Sequence, residues 1–246
     1  MRTMPEDEHP HKRFTAAAQA DEWDARYSEP VGAMWSGRPN GRLVVEVANL
    51  TPGRALDVGC GEGADAIWLA RSGWTVTAID ISDVALGRAR AAAERAGVAV
   101  EWICGDALQM AFPARSFDLV SMQYPALPKA AGEDAVRALL NAVRPGGLLL
   151  AVYHDLGDEH REHMKSRGVD PADYINAGDL RQLLDDDFTV ELHAGRAAHR
   201  SAGGQQAYRR YRPAYPTPLT TWRNALLGRN ESVMPGCCRS PRCRAG

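Results

Sequence analysis

The sequence predicts an α/β fold: a doubly wound, mostly parallel sheet with helices on both faces. Three observations predict it. From Ala55 onward, short apolar and β-branched stretches alternate with stretches of helical period. The connections between them are short and carry Ser, Gly or Pro where a helix should start or stop. Residues 148–153 (LLLAVY) are continuously apolar, as a strand buried on both faces must be.

The elements follow in order. Residues 1–22 mix charge, His and Pro and are expected as a flexible N-terminus, with a first helix opening near Phe14. Residues 23–40 are aromatic and turn-rich, and 43–50 have helical spacing until Thr51, Pro52 and Gly53 stop them. A strand over 55–58 ends in a glycine-rich turn, and a helix over 64–72 is closed by Gly73. A second strand, 75–79, ends at Asp80; Ser82 then caps a helix over 83–96 that Gly97 closes. Strands over 100–104 and 117–123 precede a helix over 134–143, stopped by Pro145, Gly146 and Gly147. The strand 148–153, a helix over 179–184 and a strand over 188–192 complete the series.

Composition bounds the function classes. At 45% hydrophobic and 24% charged, 246 residues can bury a sizeable core, which excludes a disordered or fibrous chain. No apolar run approaches the ~18 residues of a membrane span, and the first residues lack the apolar stretch of a secretory signal. Five cysteines, with Cys60 and Cys104 in strand-like contexts, suit reduced thiols, so a cytoplasmic protein is expected. Cys237, Cys238 and Cys243 lack a histidine pair, and His160 with His163 lacks a third ligand, so no metal is assigned. Residues 196–246 carry ten arginines against one acidic residue, Glu231; their net +9 leaves −11 on residues 1–195. A basic tail on an acidic body is the one feature favouring RNA, and the body itself has no basic stripe.

Residues 56–63 (LDVGCGEG) are the most informative stretch. Glycines there let the backbone leave a strand sharply and approach a ligand, and the helix that follows offers unpaired N–H groups. Asp80 lies 21 residues after Gly59, where a carboxylate can accept both hydroxyls of an adenosine ribose. A dinucleotide fingerprint would read Gly-x-Gly-x-x-Gly beneath a pyrophosphate. Here the order is Gly59, Gly61, Gly63, with Asp57 before the loop and Glu62 inside it. Two carboxylates repel a pyrophosphate and suit the ammonium and sulfonium of S-adenosylmethionine.

The segments 55–70 (ALDVGCGEGADAIWLA), 77–82 (TAIDIS), 105–107 (GDA), 117–124 (FDLVSMQY) and 144–154 (RPGGLLLAVYH) together resemble the class I S-adenosylmethionine-dependent methyltransferases. The resemblance covers residues 23–193 and implies a Rossmann-like, seven-stranded sheet over a domain of 23–194. It implies that Gly59, Gly61 and Gly63, with Cys60 in the loop, pack against the methionine and ribose. Asp57 would lie near the amino group, Asp80 would hold the ribose and Ile81 would flank the adenine. Asp106 and the Ala107 N–H would meet the adenine edge, with Gln123 completing the cofactor set.

Methyl transfer needs alignment more than an obligatory catalytic side chain. The acceptor should enter over the ends of the strands closing at Gln123 and His154. Gln123-Tyr124-Pro125 lacks the Asn or Asp and the double Pro that would hold a nucleobase amine, which argues against nucleic acid. His154 is the candidate general base, and Tyr124 a candidate substrate contact. Trp23, Arg26, Tyr27 and Trp35 resemble the opening segment of small-molecule methyltransferases of the thiopurine, thiol and tellurite-resistance types. Tyr27 and Trp35 therefore join the substrate set, for a small O, S or N acceptor. An RNA or protein methyltransferase using the basic tail, and a non-catalytic cofactor-binding protein, are the alternatives.

Such a sheet normally ends in a hairpin whose last strand inserts beside the strand at 148–153. Residues 188–192 supply one arm. The stretch that follows carries Gly203, Gly204, an Arg-rich run and Pro213, Pro216 and Pro218. No strand is expected there. Residues 195–246 are read as a poorly ordered basic tail, of the kind a frameshift in the gene would produce.

Overall fold

The computed structural model describes residues 14–29, 33–196 and 205–213. Seven strands form one sheet in the order β3-β2-β1-β4-β5-β7-β6. They are β1 (Arg54–Val58), β2 (Thr75–Asp80), β3 (Glu101–Cys104), β4 (Phe117–Gln123), β5 (Val143–Asp155), β6 (Phe188–Arg196) and β7 (Gln205–Pro213). The first five pair in parallel, and β7 runs antiparallel between β5 and β6. The helices are α1 (Ala16–Ser28), α2 (Gly41–Val47), α3 (Ala64–Arg71), α4 (Asp83–Ala96), α5 (Glu133–Leu140), α6 (Asp158–Ser166) and α7 (Ala177–Leu183).

Both faces of the sheet are covered, and the alternation of side chains divides the core in two. Leu56, Val58, Val120, Leu149 and Ala151 pack with Val136, Leu139 and Leu140 of α5 and Leu180 and Leu183 of α7. Ala55, Leu119, Leu148 and Leu150 pack on the other side with Leu43 and Val47 of α2 and Ala66 and Leu69 of α3. Successive residues of β5 thus serve opposite cores, which is why that strand has no polar face.

Local signals place several boundaries. Ser82 caps α4 by accepting from the Ala85 N–H at 3.1 Å, and Gly97 ends the helix in the left-handed conformation. Thr15 caps α1 through the Ala18 N–H. That helix runs through Trp23, Arg26 and Tyr27, so the turn-rich stretch expected from 23 begins only after Ser28. β5 reaches back across Pro145, Gly146 and Gly147, and the irregularity this needs is a register shift opposite Phe117 and Leu119.

The expectation of a sheet without its last strand is corrected. Residues 205–213 pair with β5 from Asp155↔Gln205 to Leu149↔Tyr211 and with β6 from Arg196↔Gln205 to Phe188↔Pro213. A ladder needs backbone N–H and C=O groups, which an arginine supplies as well as a valine. Pro213 is the final residue of the strand, where its missing N–H does least harm, and Pro216 and Pro218 lie beyond it. The division expected at 195 falls inside β6. The Cys237, Cys238 and Cys243 cluster and the rest of the basic tail lie outside the described residues.

A candidate cofactor and acceptor site at the carboxyl edge of the sheet

The chain leaves β1 for β2 on one side and returns to β4 on the other, so β1 and β4 flank the point where strand order reverses. Ligands of open parallel sheets bind outside the carboxyl ends of the strands at such a point. The register brings the ends level: Val58 pairs with Ile79 and Met122, and Met122 with Ala151. Asp57, the 59–63 loop, Asp80, Asp106, Gln123, Tyr124 and His154 therefore all come to one edge.

The three glycines of the loop have different tasks, although all have positive φ. A Cβ on Gly59 would meet nothing within 4 Å, which leaves open space above the end of β1. A Cβ on Gly61 would lie 2.7 Å from the Tyr27 hydroxyl. On Gly63 it would strike the Trp102 ring at 2.7 Å and the Ala89 methyl at 2.9 Å. Gly63 is thus required by packing of its loop on β3 and α4.

Asp57 is 2% exposed, and its Oδ2 has no partner among the described residues. Burial, then the Asp65 and Asp80 carboxylates, push its pKa well above the ordinary range, against the Ala66 N–H that favours the anion. Burial also raises Asp65 to about 6, opposed by the Asn40 N–H. Both groups bind a proton more tightly folded than unfolded, so the stability they contribute is present at low pH and lost as pH rises through their folded values. Asp57→Asn removes a buried carboxylate whose charge burial and the Asp65 and Asp80 carboxylates disfavour more than the Ala66 N–H supports it. Without ligand it is expected to melt about 2–4 °C above the parent at pH 7. The difference should vanish near pH 4, as a calorimetric scan across pH would register.

Asp80 accepts from the Gly61 N–H at 2.7 Å and the Ser82 N–H at 2.9 Å. Burial raises its pKa, and the N–H groups of Ser82, Gly61 and Ile81 partly oppose that. The carboxylate thereby ties the loop to the end of β2 while each oxygen keeps a second lone pair. Asp106 accepts from the Leu108 N–H and the Gln109 side-chain amide, which shapes the turn holding the buried Ala107. Ile81 is half-buried between Asp80 and Ser82. Cys60 is half-buried, and burial followed by the charges of Asp57 and Asp80 raises its thiol pKa.

Glu62 departs from expectation. Burial raises its pKa, but the Arg88 guanidinium at 2.8 Å and the N–H groups of Trp35 and Met34 more than offset this. It presents no unpaired charge to a ligand; it fastens residues 34–35 to the loop. The Trp35 indole N–H donates to the Tyr27 hydroxyl at 3.1 Å, and Tyr27 is 4% exposed. The structure thus brings Tyr27 and Trp35 to the glycine loop, where they form its cover. Asp24 holds the cover's helix in place by accepting from the Ser82 hydroxyl and the Val84 N–H at the start of α4. Neither Asp24 nor Arg88 was legible beforehand, since no local pattern marks a contact between residues so far apart.

Gln123 ends β4, Tyr124 follows it in the turn, and His154 lies near the end of β5. The Gln123 amide N–H donates to the Ser121 hydroxyl at 2.9 Å, and its Oε1 is buried with no partner among the described residues. The Tyr124 and His154 rings stack with centroids 4.2 Å apart and planes at 19°. His160 and His163 sit on α6, which buries no residue, and no group of three His, Cys, Asp or Glu among the described residues could hold a metal.

Residues 55–147 match the family described as a methyltransferase domain. Demethylmenaquinone methyltransferase of Renibacterium salmoninarum is 31% identical over 54% of this chain and 56% of that protein. Ubiquinone biosynthesis O-methyltransferase of Ralstonia nicotianae is 34% identical over 56% and 63%. The chain spans between 27% and 63% of the length of the curated relatives it matches. The structure of N-methyltransferase NodS from Bradyrhizobium japonicum, solved with S-adenosyl-L-homocysteine, has a TM-score of 0.61 at 19% identity, covering 80% of this chain and 98% of that one. The [4+2]-cyclase SpnF has a TM-score of 0.59 at 21% identity, covering 81% and 97%. These likenesses show the Rossmann-like methyltransferase fold.

Proposed function

We propose, from the match of residues 55–147 to a methyltransferase domain, that the chain transfers the methyl group of S-adenosylmethionine to a small-molecule acceptor. One observation carries the reading: the buried Asp57, with an oxygen that lacks a partner among the described residues, lies beneath a loop open at Gly59. An ammonium or sulfonium group supplies the charge that this carboxylate lacks, and a pyrophosphate would add to the repulsion. The glycine loop and Asp80 hold the methionine and ribose portions, Ile81, Asp106 and Ala107 border the adenine, and Tyr27 and Trp35 close over the loop.

When bound, the cofactor supplies an electrophilic methyl on a positively charged sulfur. The chain's own part is to align that carbon with the acceptor and to keep water away, which Tyr27 does from its buried position over Gly61. The acceptor enters beside Gln123, Tyr124 and His154. The names of the quinone-pathway relatives favour a ring-bearing acceptor. No helix among the described residues is long and apolar enough to cross a membrane. With Cys60 and Cys104 as free thiols, we place the reaction in the cytoplasm.

Calorimetric titration tests the ligand. S-adenosylhomocysteine should bind, and NAD should bind at least 100-fold more weakly, because Asp57 stands where a pyrophosphate would sit. Stronger binding of NAD would reverse the choice. Incubation with methyl-labelled cofactor and a cell extract tests the activity, with label expected in a small molecule. Label in RNA or protein would favour the basic-tail alternative. Binding without any labelled product would favour a non-methylating role, of which the cyclase with this fold is an instance.

A further inference from the structure

Resting on the methyl-transfer reading, we propose that His154 takes the proton from an aromatic hydroxyl on the acceptor, and that Tyr124 is the residue that positions the imidazole. Tyr124 has φ of 56°, in the left-handed region that a bulky side chain seldom enters. Such a conformation persists only where the surroundings hold it, and it is a recurrent property of functional sites. Here the Tyr124 N–H donates to the Val152 carbonyl at 2.8 Å, tying the turn after β4 to β5 two residues before His154. The consequence is the stacked pair, one ring from each strand end, with His154 still exposed at the edge of the sheet.

The surroundings keep the imidazole neutral. Partial burial lowers its pKa from the usual 6.5, and His160 of α6 lowers it further. The Tyr124 ring faces it from the turn after β4. A neutral imidazole at pH 7 can accept a proton. It matches a phenol, whose pKa is about 10, far better than an aliphatic alcohol. The Gln123 Oε1 on the same rim, without a partner among the described residues, asks for a hydrogen-bond donor, which a ring hydroxyl supplies and a thiol supplies poorly. The stacked face offers a planar ring a surface to lie against.

The step balances simply. A lone pair of the acceptor oxygen forms the new O–C bond as the C–S bond breaks, and its electron pair stays on sulfur. The hydroxyl proton passes to the free imidazole nitrogen of His154 and then to water. The products are an aryl methyl ether, a neutral thioether and one proton.

The test uses the full chain with S-adenosylmethionine and two probes, catechol and phenol, followed from pH 5 to 9, alongside calorimetric binding of S-adenosylhomocysteine. The parent should methylate a probe with kcat/KM falling on the acid side through a midpoint below 6.5. His154→Gln should lower kcat by about 100- to 1,000-fold and abolish that acid limb, with binding of S-adenosylhomocysteine unchanged within about twofold. Tyr124→Phe, which keeps the stacked ring, should lower kcat far less than Tyr124→Gly and leave the acid midpoint where the parent has it. Tyr124→Gly, which relieves the left-handed backbone, should lower kcat and move the midpoint up toward 6.5. A His154→Gln enzyme with the parent's rate and acid limb overturns the proposal, as does a parent that binds S-adenosylhomocysteine and methylates neither probe. A parent that fails to bind S-adenosylhomocysteine overturns the underlying methyl-transfer reading instead.

Discussion

Gly61→Val is expected to reduce affinity for S-adenosylhomocysteine by at least about 100-fold, close to 3 kcal/mol. Two independent causes act at this position. The backbone sits at φ of 53°, where a β-branched residue is strongly disfavoured. A Cβ would also lie 2.7 Å from the Tyr27 hydroxyl, which is buried and bonded to the Trp35 indole, so it cannot swing aside without opening the cover. Burial and the neighbouring Asp80 push the Tyr27 pKa to about 12, despite the opposing Trp35 bond, so the hydroxyl stays neutral there. Calorimetric titration reads the affinity, and a thermal melt separates loss of the site from loss of the fold. A Gly61→Val protein that binds like its parent would remove both the loop and its cover from the site.

Asp80→Ala is the second large effect, and it strikes twice. The substitution strands the Gly61 and Ser82 N–H groups, which now donate to a carboxylate that is 8% exposed. Leaving buried donors unpaired costs roughly 1–3 kcal/mol each, so the ligand-free protein should lose about 2–6 kcal/mol in urea unfolding. The ribose would also lose its anionic partner, weakening cofactor binding by a further ~2 kcal/mol. Ser82→Ala provides the contrast: it removes the α4 cap and the bond to Asp24 while leaving the loop tied to Asp80, so stability should fall with little change in affinity. Unchanged affinity in Asp80→Ala would mean that the carboxylate serves the fold alone.

How much of this was legible beforehand depended on how local the physics was. The strands at 55–58, 75–80 and 117–123 and the helix from Ser82 to Gly97 were readable because period, cap and stop signal all act within a few residues. β7 was not, because its pairing to the parallel sheet is made of backbone groups whose partners lie 50 to 62 residues away in β5, and its sequence carries no strand-like pattern. The helix through Trp23 and Tyr27 is masked in the sequence by its aromatics, and its local signals are only the Thr15 cap and the alanines behind it. Asp80 follows from its spacing after Gly59 and Asp57 from its place and charge just before the loop, and both reach one edge. Glu62 was read by charge sign, and its partner Arg88 reversed its meaning.

By itself, then, the sequence determined the alternation of strand and helix, the open turn at Gly59 and the acidic residues beneath and beside it. These rest on backbone conformation and short-range spacing, which neighbouring residues settle. Only the tertiary structure decided what each glycine is for, that Tyr27 and Trp35 cover the loop, and that Tyr124 and His154 stack. Each of those depends on residues from different elements reaching one point: Glu62 and Trp35 are 27 positions apart, and Asp24 and Ser82 are 58 apart. A parallel sheet makes this possible because every strand delivers its carboxyl end to the same edge. A linear pattern therefore names the residues that arrive there, and strand order and register decide which of them touch.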